Sequence, residues 1–249
     1  QAMGGLASIT GEPNSPPVRV GSSIADLSAA LFGAVGILAA LQRASRTGEG
    51  QQIDISMLDC QVALLENALA RYAVSGEVPQ PLGSAHRMNA PYQAIRCADG
   101  YITVGAANDR TFQGLCDALE HPEWAREADF ADNASRVTHR AALAARIESV
   151  MATEPRDHWL TRLETHGVPC GPINTYADVM EDPHILARDL VVDTDHPTLG
   201  RIKTLGTPVK LSNTPLTPGR PAPMLGQHTD EVLREIGLTT QDIAKVRGS

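Results

Sequence analysis

Aromatic and basic residues are both scarce in this 249-residue chain. It has 2 Trp, 4 Tyr and 3 Phe, and its 21 Lys and Arg residues are outnumbered by 29 Asp and Glu, which gives a formal net charge of −8. Binding of nucleic acid uses aromatic rings that stack on bases and basic groups that attract phosphates. The composition therefore argues against nucleic acid as a partner.

Cysteines are few and far apart. Cys60, Cys97, Cys116 and Cys170 form no C-x-x-C pair, and no histidines stand at zinc-finger spacing from them. Isolated cysteines of this kind are typical of free thiols in a reducing compartment, and Cys170, without a neighbouring base, reads as a structural thiol. We therefore expect a cytoplasmic protein without a metal site.

The chain also lacks a recognisable targeting segment at its start. Residues 1–5 read like the middle of a folded segment, so we expect a fragment or one piece of a cleaved protein. The longest apolar stretch, residues 24–41, is interrupted by Asp26 and Ser28. Because it is short and polar at its start, we expect a buried core helix and no membrane span.

Hydrophobic spacing predicts a helix over residues 26–46, a short strand over 51–56 and a second helix over 58–72. The order helix, strand, helix predicts an α/β fold with a parallel sheet. Gly33 and Gly36 in the first helix leave room for a neighbouring element to approach closely.

A segment rich in turn-forming residues, 75–83, ends this pattern and predicts a domain boundary near residue 78. The next unit opens with two predicted strands, 92–97 and 101–105, joined at Asp99-Gly100, a dipeptide that tolerates positive φ. Further spacing predicts helices near 109–119, 136–151, 156–166, 176–180, 183–188, 230–236 and 240–247, and strands within a proline-rich extended segment at 191–195 and 202–205.

Asp26 stands at the start of the first helix. Free backbone N–H groups and the helix dipole favour an ionised carboxylate there, and an ionised carboxylate is a possible nucleophile. Asp is also among the preferred capping residues, so position alone favours a cap. Two interpretations, helix cap and nucleophile, are therefore open for Asp26.

Several motifs accompany Asp26 in order along the chain. They are Met3-Gly4-Gly5-Leu6, Thr10-Gly11-Glu12-Pro13, Arg46-Thr47-Gly48-Glu49-Gly50-Gln51, Pro91-Tyr92-Gln93-Ala94, Ala98-Asp99-Gly100-Tyr101-Ile102, Gly167-Val168-Pro169-Cys170-Gly171-Pro172-Ile173-Asn174 and Leu225-Gly226-Gln227-His228-Thr229. Together they resemble the family III CoA-transferases, also called the CaiB/BaiF family, over essentially the whole chain.

The resemblance places the nucleophilic aspartate of the family on Asp26, which favours catalysis over capping. It places the flexible loop that covers the family's active site on five candidate substrate- or CoA-binding residues: Ala85, His86, Arg87, Met88 and Asn89. The glycines of formyl-CoA transferases are missing from this loop, which argues against formate and oxalate. His86 and Arg87 offer donors for a second carboxylate; the alternative interpretation is a solvated loop.

The resemblance also implies the architecture, an α/β fold with a Rossmann-like large domain and a smaller α+β domain, in chains interlinked as a dimer. On this basis, residues 1–78 are the second part of the large domain, whose N-terminal half is absent. Residues 79–185 form the small domain, and residues 186–249 are a linker and a C-terminal segment that returns to the large domain.

The function implied is transfer of CoA from an acyl-CoA donor to a carboxylic acid, with the dicarboxylate branch as the best match, through an aspartyl-CoA thioester and without a metal. The implied partners are acyl-CoA, the acid, and either a second copy or the absent N-terminal part, which supplies most CoA contacts in the family. Two alternatives are a 2-methylacyl-CoA racemase, whose acid/base histidine would lie upstream of residue 1, and a non-catalytic fragment. Residues 90–93 fit the transferases better.

Overall fold

A computed structural model describes residues 1–216 and 221–247. The chain divides into two compact units, residues 1–173 and residues 174–249. Both contain helices and strands, but every strand pair in the described residues is antiparallel, so the parallel sheet predicted from residues 26–72 is not found there. The predicted domain boundaries near residues 78 and 185 remain predictions.

Unit 1 begins with three helices and continues with a small antiparallel sheet surrounded by four more. The helices are α1 (Ile24–Thr47), α2 (Met57–Ala63), α3 (Glu66–Ser75), α4 (Asp109–Ala118), α5 (Asn133–Thr138), α6 (Arg140–Met151) and α7 (Arg156–Thr165), and the strands are β1 (Tyr92–Cys97), β2 (Gly100–Gly105) and β3 (Cys170–Pro172). Short 3₁₀ turns lie at Leu6–Ser8 and Pro122–Arg126.

The predicted hairpin at Asp99-Gly100 is confirmed. Strands β1 and β2 pair antiparallel from Tyr92 opposite Gly105 to Cys97 opposite Gly100, and β3 pairs antiparallel with β2. Gly100 has a φ of 155°, a conformation that side chains rarely adopt. The turn therefore depends on this glycine.

The core of unit 1 lies between this sheet and helices α4, α6 and α7. Both tryptophans of the sequence belong to it, and the indole N–H of Trp159 donates to the carbonyl of Met151 at 2.8 Å. Its fully buried side chains include Ile95, Ile102, Phe112, Leu115, Leu143, Ile147 and Leu163. Contiguous apolar burial of this kind is the main stabilising contribution in a folded domain.

A buried arginine joins this core to the end of the loop before β1. Arg136 of α5 is fully buried; its guanidinium donates to the carbonyls of Ala90, Phe130 and Ala107 and to the carboxylate of Asp109, at 2.9 to 3.0 Å. Buried charge is tolerated when it is fully hydrogen-bonded. The loop is thus fixed where it enters β1.

Helix α1 differs from its prediction as a buried core helix. Of its 24 residues only Ser28 and Ala40 are buried, and Leu31, Val35, Leu38 and Leu41 are exposed. By length and composition it is the single helix in the described part of the chain that could cross a membrane, and 11% of its most apolar window is buried. The prediction was wrong because burial depends on neighbouring surfaces, and the residues that the structure describes leave most of α1 uncovered.

The prediction of a strand at residues 51–56 was also wrong. This segment has no regular secondary structure, and no strand pairs with it in the described residues. A strand needs a neighbour for its backbone hydrogen bonds, and the described sheets, which are all antiparallel, offer none. Close approach at Gly36 is confirmed, since a Cβ there would lie 3.3 Å from Ile53, whereas Gly33 has no such neighbour.

Two predicted helices are each divided in two. The helix predicted at 58–72 ends at Ala63 and resumes at Glu66, whose φ is +30°. The break faces the opening segment, because a Cβ on Gly5 would lie 3.2 Å from Leu65. The helix predicted at 136–151 begins earlier and is interrupted at His139.

Unit 2 contains the elements predicted for it. These are α8 (Tyr176–Glu181), α9 (Pro183–Ala187), the antiparallel hairpin of β4 (Val191–His196) and β5 (Gly200–Leu205), α10 (Thr229–Glu235) and α11 (Thr240–Arg247). Thr175 and Asp178 form a capping box at the start of α8. The predicted proline-rich extended segment includes residues 217–220, which lie outside the described residues.

Candidate active site

Asp26 is the third residue of α1 and is exposed to solvent. The helix begins after Ser23, whose side chain makes no capping hydrogen bond. Among the described residues the Asp26 carboxylate takes part in no hydrogen bond or ion pair. A capping role would require such a bond to a backbone N–H, so the geometry supports an accessible carboxylate at the positive end of the helix dipole.

A buried polar chain holds this first turn in place, and the sequence analysis missed it. The Gln61 amide N–H of α2 donates to Ser28 Oγ at 3.1 Å, and Ser28 Oγ donates to the carbonyl of Ala25 at 3.1 Å. Ser28 and Gln61 are buried. A Cβ on Gly4 would lie 2.6 Å from that of Gln61, so the glycine-rich opening packs directly on this chain.

The loop at 85–89 is ordered by its own backbone and by His86. The N–H of His86 donates to the carbonyl of Tyr92 at 2.9 Å, and the two rings stack with centroids 5.3 Å apart. His86 Nδ1 accepts from the N–H of Met88 at 3.2 Å. A neutral imidazole whose Nδ1 accepts carries its proton on Nε2, which is then a donor.

Three side chains from other elements hold the same loop. Arg140 donates through Nη2 to the carbonyls of His86 and Arg87, both at 2.9 Å, and the Asn133 side chain donates to the carbonyl of Met88 at 2.8 Å. Arg71 of α3 contacts Met88 Sδ at 3.5 Å. The loop is therefore held in place, and its two interpretations, a substrate-binding loop and a solvated loop, both remain predictions.

Only two backbone N–H groups of this loop have no acceptor in the part of the chain that the structure describes. Those of Ala85, His86 and Met88 donate to Leu82, to Tyr92 and to the His86 ring. The N–H groups of Arg87 and Asn89 remain available. Unpaired amides are the groups that can stabilise an oxyanion.

Residues of the loop line two cavities. One, of about 530 Å³, is lined by residues that include Asn89, Tyr92, Pro169, Cys170 and Gly171. The other, of about 500 Å³, is lined by Arg71, Leu82, Arg87, Met88, Val137 and Arg140. Both volumes suit small organic ligands.

Cys170 lines the first cavity but is poorly suited to act as a nucleophile. Burial, followed by the charge of Glu164, raises the pKa of its thiol. The thiolate is the nucleophilic form, and a raised pKa depletes it. The prediction that Cys170 is a structural thiol agrees with this environment.

Asp26 and the loop at 85–89 belong to the same unit, but no hydrogen bond or ion pair joins them within residues 1–216 and 221–247. The loop is linked to the segment before α1 through Gly83, whose N–H donates to the carbonyl of Gly11 at 2.8 Å. No group of three or more His, Cys, Asp or Glu side chains among the described residues is arranged to hold a metal ion.

Comparison with known proteins places these features in a family. Residues 1–229 match the model of CoA-transferase family III. A succinyl-CoA:mesaconate CoA-transferase of Haloarcula hispanica is 39% identical over 96% of this chain and 60% of its own length. A human succinyl-CoA:glutarate CoA-transferase is 37% identical over 94% of this chain and 54% of its own.

A solved structure gives the same result. A CaiB/BaiF family protein from Brucella suis is 37% identical, with a TM-score of 0.82 over 95% of this chain and 61% of that protein. The chain thus spans little more than half the length of these relatives. Its match to the family model extends over nine-tenths of the sequence, and the chain belongs to CoA-transferase family III.

Proposed function

We propose that this protein transfers CoA from an acyl-CoA donor to a dicarboxylic acid, with Asp26 as the nucleophile. The observation that carries the proposal is the exposed Asp26 carboxylate, which makes no capping bond in the first turn of a helix held by the buried Gln61–Ser28 pair. A carboxylate in this position is accessible to a thioester.

The first half of the reaction moves CoA onto the protein. The Asp26 carboxylate attacks the thioester carbonyl carbon of the donor, the carbon–sulfur bond breaks, and a mixed anhydride and a CoA thiolate form. The thiolate then attacks the Asp26 carbonyl carbon of the anhydride, which releases the donor acid as a carboxylate. The product is an aspartyl-CoA thioester, and covalent capture replaces one difficult exchange by easier steps.

The second half passes CoA to the acceptor. A carboxylate of the acceptor attacks the Asp26 thioester, which gives a new mixed anhydride and CoA thiolate. The thiolate attacks the acceptor carbonyl carbon, so that acceptor-CoA forms and the Asp26 carboxylate is regenerated. Each attack passes through an oxyanion, for which the N–H groups of Arg87 and Asn89 are the candidate donors in the loop.

Two observations support a dicarboxylic acceptor over the alternatives. The relatives of known name that match this chain include succinyl-CoA:mesaconate and succinyl-CoA:glutarate CoA-transferases. His86 Nε2 and the Arg87 guanidinium offer donors to a second carboxylate. The racemase alternative requires a histidine that the family resemblance puts upstream of residue 1, and the named CoA-transferases do not favour it.

The proposal includes partners and location. The exposed apolar side chains of α1 are consistent with covering by a second copy in an interlinked dimer or by the N-terminal part of the family fold. The N-terminal part would complete a Rossmann-like large domain and supply CoA contacts. The separated free cysteines support a cytoplasmic location.

The test is chemical trapping of the aspartyl thioester. The purified protein is incubated with succinyl-CoA, hydroxylamine is added, and peptides are examined by mass spectrometry together with the intact mass of every chain in the sample. We expect a hydroxamate on Asp26. Asp59 is the matched control residue, because it is an exposed aspartate in the same third position of a helix, α2.

Substitutions make the result decisive. Asp26→Asn should abolish both the hydroxamate and CoA transfer, whereas Asp59→Asn should retain them. Transfer that persists in Asp26→Asn would refute the nucleophile assignment. A wild-type sample with neither adduct nor transfer would support the non-catalytic fragment instead.

A further inference from the structure

Three arginines line the second of the two cavities to which the active-site loop contributes. Arg71 comes from α3, Arg87 from the loop itself and Arg140 from the first turn of α6, and Leu82, Met88 and Val137 complete the wall. We name this space the arginine cavity. The sequence analysis singled out Arg87 alone, because the other two lie 16 and 53 residues away along the chain.

The arginines are held by groups that leave part of their hydrogen-bonding capacity unused. Arg140 donates through Nη2 to two loop carbonyls, while its Nε is buried and has no acceptor among the described residues. Arg87 donates through Nη2 to the carbonyl of Gln80. A guanidinium has five N–H donors, so Arg87 and Arg140 retain donors that can be offered to an oxyanion.

The positive charge of the cavity is balanced only in part by the described residues. Arg71 pairs with Glu77 at 2.7 Å. No carboxylate among residues 1–216 and 221–247 forms an ion pair with Arg87 or Arg140. Burial, followed by the charge of Arg87, lowers the pKa of Arg140, so an anion in the cavity would relieve an existing repulsion.

We propose that the arginine cavity binds the distal carboxylate of the dicarboxylic substrate, the one that does not react, through Arg87 and Arg140. The inference rests on the proposed function and deepens it. Guanidinium groups match carboxylates in geometry and bind them in pairs of hydrogen bonds. The apolar wall formed by Leu82, Met88 and Val137 suits the short carbon chain between the two carboxylates.

Phosphate groups of CoA carry anionic oxygens, as carboxylates do, and guanidinium groups bind both. Phosphate is therefore the competing ligand for the arginine cavity. The apolar wall favours a dicarboxylic acid, because a phosphate would leave these side chains in contact with a strongly hydrated group. The cavity volume of about 500 Å³ also exceeds what a single phosphate fills. Direct binding measurements distinguish the two.

The test uses isothermal titration of the full 249-residue chain, which requires no turnover. Glutarate is compared with pentanoate, a monocarboxylate of the same length, and with inorganic phosphate and CoA as further ligands. We expect glutarate to bind at least about tenfold more tightly than pentanoate, because the second carboxylate adds charged hydrogen bonds. Arg87→Gln and Arg140→Gln should each remove about tenfold of this preference.

Arg126→Gln is the matched control. Arg126 is exposed, lies outside the lining of the arginine cavity, and loses the same charge in this variant. Its affinity for glutarate should equal that of the wild type. Because Arg140 also holds the loop, circular dichroism of Arg140→Gln checks folding, and Arg87→Gln stays decisive if that variant unfolds.

Three results would overturn the inference. They are equal affinity for glutarate and pentanoate, unchanged glutarate binding in Arg87→Gln, or loss of phosphate or CoA binding in that variant while glutarate binding persists. The trapping experiment on Asp26 is independent of this titration. An Asp26 hydroxamate without a glutarate preference would retain the proposed function and reject the arginine cavity as its carboxylate site.

Discussion

Leu115 of α4 and Leu38 of α1 lie in the same unit but in opposite environments. Leu115 is fully buried between the sheet and the surrounding helices, whereas Leu38 is 66% exposed. The contrast extends to their neighbours, since α4 contributes five buried residues from ten and α1 contributes two from 24. Residues 92–168 thus fold around a core of their own, and α1 presents apolar surface that the described chain does not cover.

The two regions therefore contribute differently: one supplies most of the buried apolar surface, and the other carries the proposed nucleophile. The packed region supplies the apolar burial that stabilises a domain. The region of α1 and α2 carries Asp26, the proposed nucleophile, on a helix whose first turn depends on one buried polar pair. A helix that is apolar on all sides is typical of a protein interior, so α1 is the element whose environment another surface would change most.

The largest effect is expected in the packed region. Leu115→Ala removes a fully buried side chain and leaves a cavity, so we expect a loss of about 3 kcal/mol in the free energy of unfolding, measured by urea titration with circular dichroism. A loss below about 1 kcal/mol would show that this region is loosely packed and would remove the contrast with α1.

A smaller effect is expected at the buried polar pair. Ser28→Ala removes the acceptor of the Gln61 amide and leaves that buried group without a partner, which should cost about 1–3 kcal/mol in the same titration. Ser45→Ala is its control on the same helix, because Ser45 also donates to the carbonyl three residues before it but is exposed. Equal losses in both variants would mean that Gln61 does not depend on Ser28.

The smallest effect is expected on the exposed side of α1. Leu38→Ala is chemically the same change as Leu115→Ala, yet it should alter the free energy of unfolding by less than about 0.5 kcal/mol in the isolated chain. Sedimentation velocity of both variants reports self-association. A loss similar to that of Leu115→Ala would show that another protein surface covers α1 in solution.

The features predicted correctly from the sequence are those set by neighbouring residues. Asp99-Gly100 specifies its turn through local backbone preference. Helix spacing likewise identified α4, α7 and the helices of unit 2. Turns and helices of this kind can be predicted from the sequence because each depends on residues within a few positions of one another.

The features that were missed depend on residues far apart in sequence. The strand predicted at 51–56 would require a partner strand, and the burial predicted for α1 would require surrounding elements. At the candidate site, Asp26 and Arg87 could be proposed from the family resemblance. The contacts of Arg140 with Arg87 and of Gln61 with Ser28 span 53 and 33 residues and have no signature in spacing.

The position of the two tryptophans has a spectroscopic consequence. Trp124 and Trp159 both lie in the core of residues 92–168, and the chain has no others. Intrinsic tryptophan fluorescence therefore reports the packed region and receives no direct signal from the helix that carries Asp26. A tryptophan placed at exposed Phe32 would give α1 an emission of its own, so that each half of unit 1 could be observed separately as it unfolds or acquires a neighbour.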